Sequence, residues 1–214
     1  MNKLQSFLRR MMRFSIPNLM TWVVGGQALL YVLSLMGMPV YSWFSLSRFG
    51  LLHGQLWRLV TFIFVPQGGG LLATVIGLYF TWLVGNMLQN HWGSGRFTCY
   101  YLFGMVGAIL ACLLTGYGTN TYLNLSLFLA FAAVYPEFQI LLFYVLPIKA
   151  KYLGLVALIN LLWQLLTAPW WMKIALLLAL LNVILFVGGD MLNTLRRESQ
   201  YWKTRYNFRR ATRR

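Results

Sequence analysis

Long apolar runs, separated by short clusters of polar residues, dominate this chain. They fall near Asn18 to Gly37, Gly70 to Met87, Thr98 to Thr115, Thr121 to Pro136, Tyr152 to Leu166 and Ile174 to Leu192. A bilayer core of about 30 Å is crossed by about 20 apolar residues of a helix rising about 1.5 Å per residue. Several runs approach that length, and the pattern predicts six membrane-spanning helices in one domain, an all-α membrane protein. The first run has the length of a spanning helix and no small-residue cleavage site after it, so it reads as a span and not as a signal peptide.

The connections carry their own pattern. Met38 to Gly69 is long and mostly apolar, with Trp43, Phe44, Phe49, Leu51, Leu52, Leu56 and Trp57 among scattered polar residues. A segment built this way is expected to lie in the interface plane with its rings at headgroup level. Glu137 to Lys151 contains an apolar stretch, Ile140 to Leu146, closed by Pro147. That stretch is too short to span, so it is expected to be interfacial, packed on the bundle, or an extension of the fourth or fifth helix.

Composition agrees with a bilayer setting: 59% of residues are hydrophobic and 10% charged. A soluble surface carries about 25–35% charged residues. Charge also orients the chain. Lys3, Arg9, Arg10, Arg13, Arg96, Lys149, Lys151 and eight basic residues from Arg196 to Arg214 fall on one side of a six-span arrangement, fifteen of the eighteen Lys and Arg. Arg48, Arg58 and Lys173 fall on the other. The positive-inside rule then places both termini in the cytoplasm. Three segments follow: a basic cytoplasmic stretch over 1–16, the membrane domain over 17–193 and a basic cytoplasmic tail over 194–214. Cys99 and Cys112, thirteen residues apart on one expected helix, lie about 20 Å apart, beyond disulfide reach, and read as packing residues.

A set of collinear motifs resembles the rhomboid superfamily. It comprises Gln55-Leu-Trp-Arg-Leu-Val-Thr-Phe62, a glycine-rich turn, a span ending Leu83-Val-Gly85, then Trp92-Gly-Ser-Gly-Arg-Phe97. Ala130-Phe-Ala-Ala-Val-Tyr-Pro136, Val145-Leu-Pro-Ile-Lys-Ala-Lys-Tyr-Leu153 and Gly188-Gly189 continue it, so that the likeness covers roughly 17–193. Trp57, Arg58, Thr61, Gly93, Arg96, Gly188 and Gly189 carry it most directly, with a looser similarity to derlins in the Trp-Arg element. The resemblance implies a six-helix rhomboid-like bundle in a plasma membrane of bacterial type.

Active members of that family pair a serine at the outer start of the fourth helix with a histidine on the sixth. A serine hydroxyl is a weak nucleophile until a neighbouring base takes its proton, and donors must stabilise the oxyanion. By alignment of the motifs the serine position falls at Thr121 and the histidine at Phe186, while the oxyanion helpers of the second helix fall at Ala73 and Gly77. All four are replaced. The two histidines, His53 and His91, lie in connections. Ser126 with Lys173 is the one alternative dyad, against a simpler reading of Ser126 as a helix-to-helix hydrogen bond with Asn124 or Asn182.

Asp190 is the one acid within an expected span. It is either a functional carboxylate such as a proton relay or, the stronger reading, an interfacial ion pair with Arg196 or Arg197 or a helix cap. Asn160, Gln164 and Asn182 could form a polar stripe, and Asn124, Ser126, Asn182 and Asp190 together are the candidate polar membrane site. Gly104, Gly107 and Ala108 are expected to let helices approach closely. No phosphate loop, metal-ligand cluster or dinucleotide fingerprint is present, so no cofactor and no metal are expected.

The tail interleaves its basic residues with Tyr201, Trp202, Tyr206 and Phe208. Anionic lipid headgroups are its first expected partner, and ribosomal RNA, engaged by charge and stacking, the second. The functional expectation is a rhomboid-like pseudoprotease that binds or shields transmembrane client helices in membrane-protein quality control or biogenesis. The competing expectations are an intramembrane serine protease with displaced residues, and a structural membrane subunit.

Overall fold

A computed structural model describes residues 15–67, 69–142, 146–170 and 172–188. Six long helices lie where the apolar runs fall: α1 (Leu19–Leu35), α5 (Leu71–Trp92), α6 (Ser94–Thr115), α7 (Thr121–Val134), α8 (Ala150–Thr167) and α9 (Met172–Gly188). Three short helices, α2 (Val40–Phe44), α3 (Arg48–Leu52) and α4 (Arg58–Thr61), and a 3-10 turn (Phe62–Phe64) fill the connection from α1 to α5. Two small antiparallel pairs complete the fold. β1 (Leu46–Ser47) pairs with β2 (Tyr117–Gly118), and β3 (Gln139–Leu142) with β4 (Leu146–Lys149). Helices α5, α6 and α8 are long and apolar enough to cross a membrane; α1, α7 and the described part of α9 are apolar but shorter.

The boundaries have local causes. α5 runs through the polar Gln89 to Trp92 and stops at Gly93, whose φ of 79° suits glycine. His91 therefore belongs to the last turn of α5 and not to a connection, because nothing before Gly93 breaks the helix. Ala168 is extended ahead of Pro169 and ends α8. The 137–151 connection is a hairpin and extends neither neighbouring helix. Its backbone groups pair across the register Gln139 to Lys149 and Ile140 to Ile148, which a half-turn of helix before Pro147 would leave unpaired.

Helix α7 is the hub. It packs on α5, α6 and α8 and buries Leu123, Leu127, Leu129, Ala130, Phe131 and Ala132. Its fourteen residues span about 21 Å, less than a bilayer core, and neighbouring helices cover most of its surface. In lipid, apolar burial gives little drive for helices to associate, so close van der Waals approach carries the association, and small residues permit it. A Cβ on Gly154 would overlap that of Ala132 between α8 and α7, one on Gly85 would overlap Met20 between α5 and α1, and one on Gly104 would overlap Leu123.

Both ends of the described chain meet at one end of the bundle. The Ile16 amide donates to Thr98 Oγ1, and Arg96 donates to the carbonyl of Phe186 at 2.6 Å. That end holds Arg96, Lys149 and Lys151; the opposite end holds Arg48, Arg58 and Lys173.

The close crossings generate a prediction. Gly154→Leu should force α7 and α8 apart and cost roughly 1–3 kcal/mol, read as a lower thermal midpoint of the detergent-purified protein. Gly77→Leu, which has open space around it, should show no such loss.

Candidate functional site

A cavity of about 360 Å³ lies between α6, α7 and α9. Gly104, Gly107, Ala108 and Ala111 form one wall and Ala175, Leu178 and Ala179 another, while Thr121, Ser126 and Asn182 supply polar groups. Ser126 is fully buried. Its hydroxyl donates to the Leu123 carbonyl at 2.7 Å and accepts from the Tyr100 hydroxyl at 2.8 Å. Asn182 is also buried, and its Nδ2 donates to the Tyr100 carbonyl at 3.3 Å. Ser126 is thus a helix-to-helix hydrogen bond, but its partner is Tyr100, not Asn124 or Asn182. Lys173 is not among the hydrogen-bond partners of Ser126, whose proton is given to the Leu123 carbonyl.

Of Thr121, Phe186, Ala73 and Gly77, only Thr121 lines this cavity. Thr121 opens α7. Ala73 and Gly77 stand on an exposed face of α5. Phe186 packs edge-on against Tyr100 at 5.5 Å and beside Phe103 at 5.8 Å, in an aromatic cluster. His53 stacks on Phe49 and bonds its carbonyl, and His91 meets Tyr135 edge-on. Among the described residues no hydrogen-bond partner of Ser126 or Thr121 is a histidine or a carboxylate, and no group of His, Cys, Asp and Glu could hold a metal.

The motif residues instead build the frame. The buried Arg58 guanidinium donates to Ser42 and Ser45 carbonyls and to Gln55 Oε1, each at 2.6 Å. Those carbonyls sit at the C-terminal end of α2, where intrahelical donors run out and a cation is favoured. Gly50 makes room for it, since a Cβ there would come within 2.8 Å of Arg58 Nε. Thr61 Oγ1 reaches the Phe44 carbonyl at 3.4 Å, and Trp57 is exposed. Arg96 ties α6 to α9, donating to the Phe186 carbonyl while lying 5.2 Å over the Trp92 ring. Gly188 is the last described residue of α9; Gly189, Asp190 and the basic tail lie outside the described residues, as do residues 1–14.

The polar stripe does not form. Gln164 donates to Asn160 one turn away on the exposed side of α8, whereas Asn182 is buried against α6. Asn124 Oδ1 is buried with no partner. Residues not singled out in the sequence matter more. Asn120 Nδ2 donates to the Ile63 and Val65 carbonyls at 3.2 and 2.8 Å, and Gln27 Nε2 to the same Ile63 carbonyl at 2.8 Å. Tyr100 joins Ser126 to Asn182. The available signal was the rarity of amides in apolar helices, which marks helix-joining bonds.

Glu137 sits outside the spans, bonded by Lys149 and Lys151 across the hairpin base, each at 2.6 Å. The hydrogen bond from Lys149, then that from Lys151, holds its carboxyl down at about 2. Comparison of the chain with protein-family models, curated proteins and solved structures finds no match.

Two outcomes are expected. A serine-reactive fluorophosphonate should leave the purified protein unlabelled, because Ser126 has no base; adducts on Ser126 that vanish in Ser126→Ala would contradict this. For Glu137, whose folded pKa is depressed, the stabilisation is complete above its ordinary value of 4.5 and is lost as pH falls towards about 2. The gap in thermal midpoint between the unaltered protein and Glu137→Gln should therefore shrink across that window. The effect should be small, since the pair is solvent-exposed.

Proposed function

We propose that the protein is a non-hydrolytic, rhomboid-like scaffold of six membrane-crossing helices that admits a client's transmembrane helix between α5 and α8 and holds or shields it. The observation carrying this reading is the arrangement around the hub. α5 and α8 both pack on α7 without extensive contact with each other. Their outward faces are apolar, with Leu72, Val75, Ile76 and Tyr79 on α5 and Leu155, Val156, Ile159 and Leu162 on α8, all exposed. Space is open at Gly77. The Asn160–Gln164 amide pair on α8 offers a polar client residue a partner, which lipid does not.

The loss of a base favours recognition over cleavage, since removal of triad members alone eliminates most hydrolysis. The shorter α1 and α7 would cross if the surrounding bilayer thinned, at a modest cost per ångström. Entry and exit of the chain at one end of the bundle suits an even number of crossings, with both termini cytoplasmic by the basic bias of the termini. In this reading the tail over 194–214 holds anionic headgroups, and ribosomal RNA is its alternative partner.

Photocrosslinking groups placed at Val75 on α5 and Ile159 on α8, in native membranes, should capture membrane proteins through their spanning segments. The same groups at Leu113 on α6 should capture far less. Equal capture at all three, or lipid adducts alone, would overturn the proposal.

A further inference from the structure

We infer that the cavity between α6, α7 and α9 is a binding site for a neutral single-chain amphiphile carrying a hydroxyl, such as a long-chain alcohol or a monoacylglycerol. The inference is independent of the client-helix reading, which concerns the opposite faces of α5 and α8.

The shape points to a chain. The cavity runs from Asn182 to Met172 along α9 and out to Tyr117, Gly118 and Thr119 at the α6–α7 turn. Ten residues of helix measure about 15 Å, and about 360 Å³ spread over that length is a passage about as wide as one hydrocarbon chain. Its walls are the glycine and alanine positions of α6 and α9, with no Lys, Arg, Asp or Glu among the lining residues. A charged guest would find no counter-ion there and would be desolvated without return.

The chemistry points to a donor. Asn182 is 4% exposed, and its Nδ2 is committed to the Tyr100 carbonyl, which fixes the amide orientation. Its Oδ1 is shielded from solvent and has no partner. Ser126, beside it, already gives its proton to Leu123 and accepts from Tyr100. The polar capacity left at the deep end is therefore the Oδ1 acceptor together with the second Nδ2 proton, and buried acceptors are nearly always satisfied. A hydroxyl entering first, with its hydrocarbon chain lying along the small-residue walls, supplies the proton. Gly104 keeps the amide in place, since a Cβ there would press within 2.9 Å of Asn182 Nδ2.

The test uses the full chain in phosphatidylcholine nanodiscs and a dodecanol carrying a diazirine in its chain. Illumination should give saturable adducts on α6 and α9, competed about fivefold better by dodecanol than by dodecane, the ratio expected of one buried hydrogen bond. Ala179→Leu should abolish the saturable fraction by filling the passage. Asn182→Leu should retain labelling but erase the preference for the alcohol. Competition by monoacylglycerol against free dodecanol tells a glyceride from a free alcohol as the better fit, and either satisfies the inference. Non-saturable labelling spread over every helix, equal competition by alcohol and alkane in the unaltered chain, or indifference to Ala179→Leu would each overturn it. If Asn182→Leu fails to fold, the alcohol-to-alkane ratio and Ala179→Leu still decide.

Discussion

Backbone that leaves the helix inside a bundle must find hydrogen-bond donors among side chains, because an apolar surround offers no water to supply them. The chain breaks from helix between α4 and α5, and the carbonyls of Ile63 and Val65 end up buried against the bundle. Asn120 and Gln27 meet them, one from the start of α7 and one from α1. That single cluster sets the height of the connection relative to two helices at once. Arg58 does the equivalent for the free end of α2, and each lost bond of this kind would leave a desolvated carbonyl costing about 1–3 kcal/mol. Phe64 can then press against α1 only because residue 26 is glycine.

The same constraint explains why Asn120 does not cap its own helix. An asparagine just before a helix ordinarily bonds the exposed amides of the first turn, but no such bond is present here. The side chain serves the more expensive need, two buried carbonyls, and Thr119 takes over one amide of the turn by accepting from Thr121.

Helix positions were legible in the sequence because apolar length is a one-dimensional property. All six long helices fall on the apolar runs, and the two paired glycine stops, Gly93 and Gly116, have the positive φ that their residue type allows. The hairpin was not legible. Its stretch from Ile140 to Leu146 is uniformly apolar, which fits strand and helix alike, and the pairing that decides between them joins Gln139 to Lys149 across the turn. The polar centre was half legible. Ser126 and Asn182 stand out as polar residues in apolar helices, but their partner is a tyrosine, a residue common enough in membrane helices to draw no notice, and its hydroxyl and carbonyl act at different heights on α6. Arg58 and Arg96 were visible as motif members, while their work on backbone carbonyls depends on which elements they meet in the fold.

The balance of cations at the two ends of the bundle has a consequence for biogenesis. With Arg48, Arg58 and Lys173 at one end and Arg96, Lys149 and Lys151 at the other, the folded body has no electrical sense of up or down. Arg58 and Arg96 are moreover occupied with carbonyls and are poor sensors of the membrane surface. In the proposed membrane setting the vectorial information would rest with the twelve Lys and Arg of residues 1–14 and 196–214, and a body carrying neutral termini would be expected to insert in either orientation.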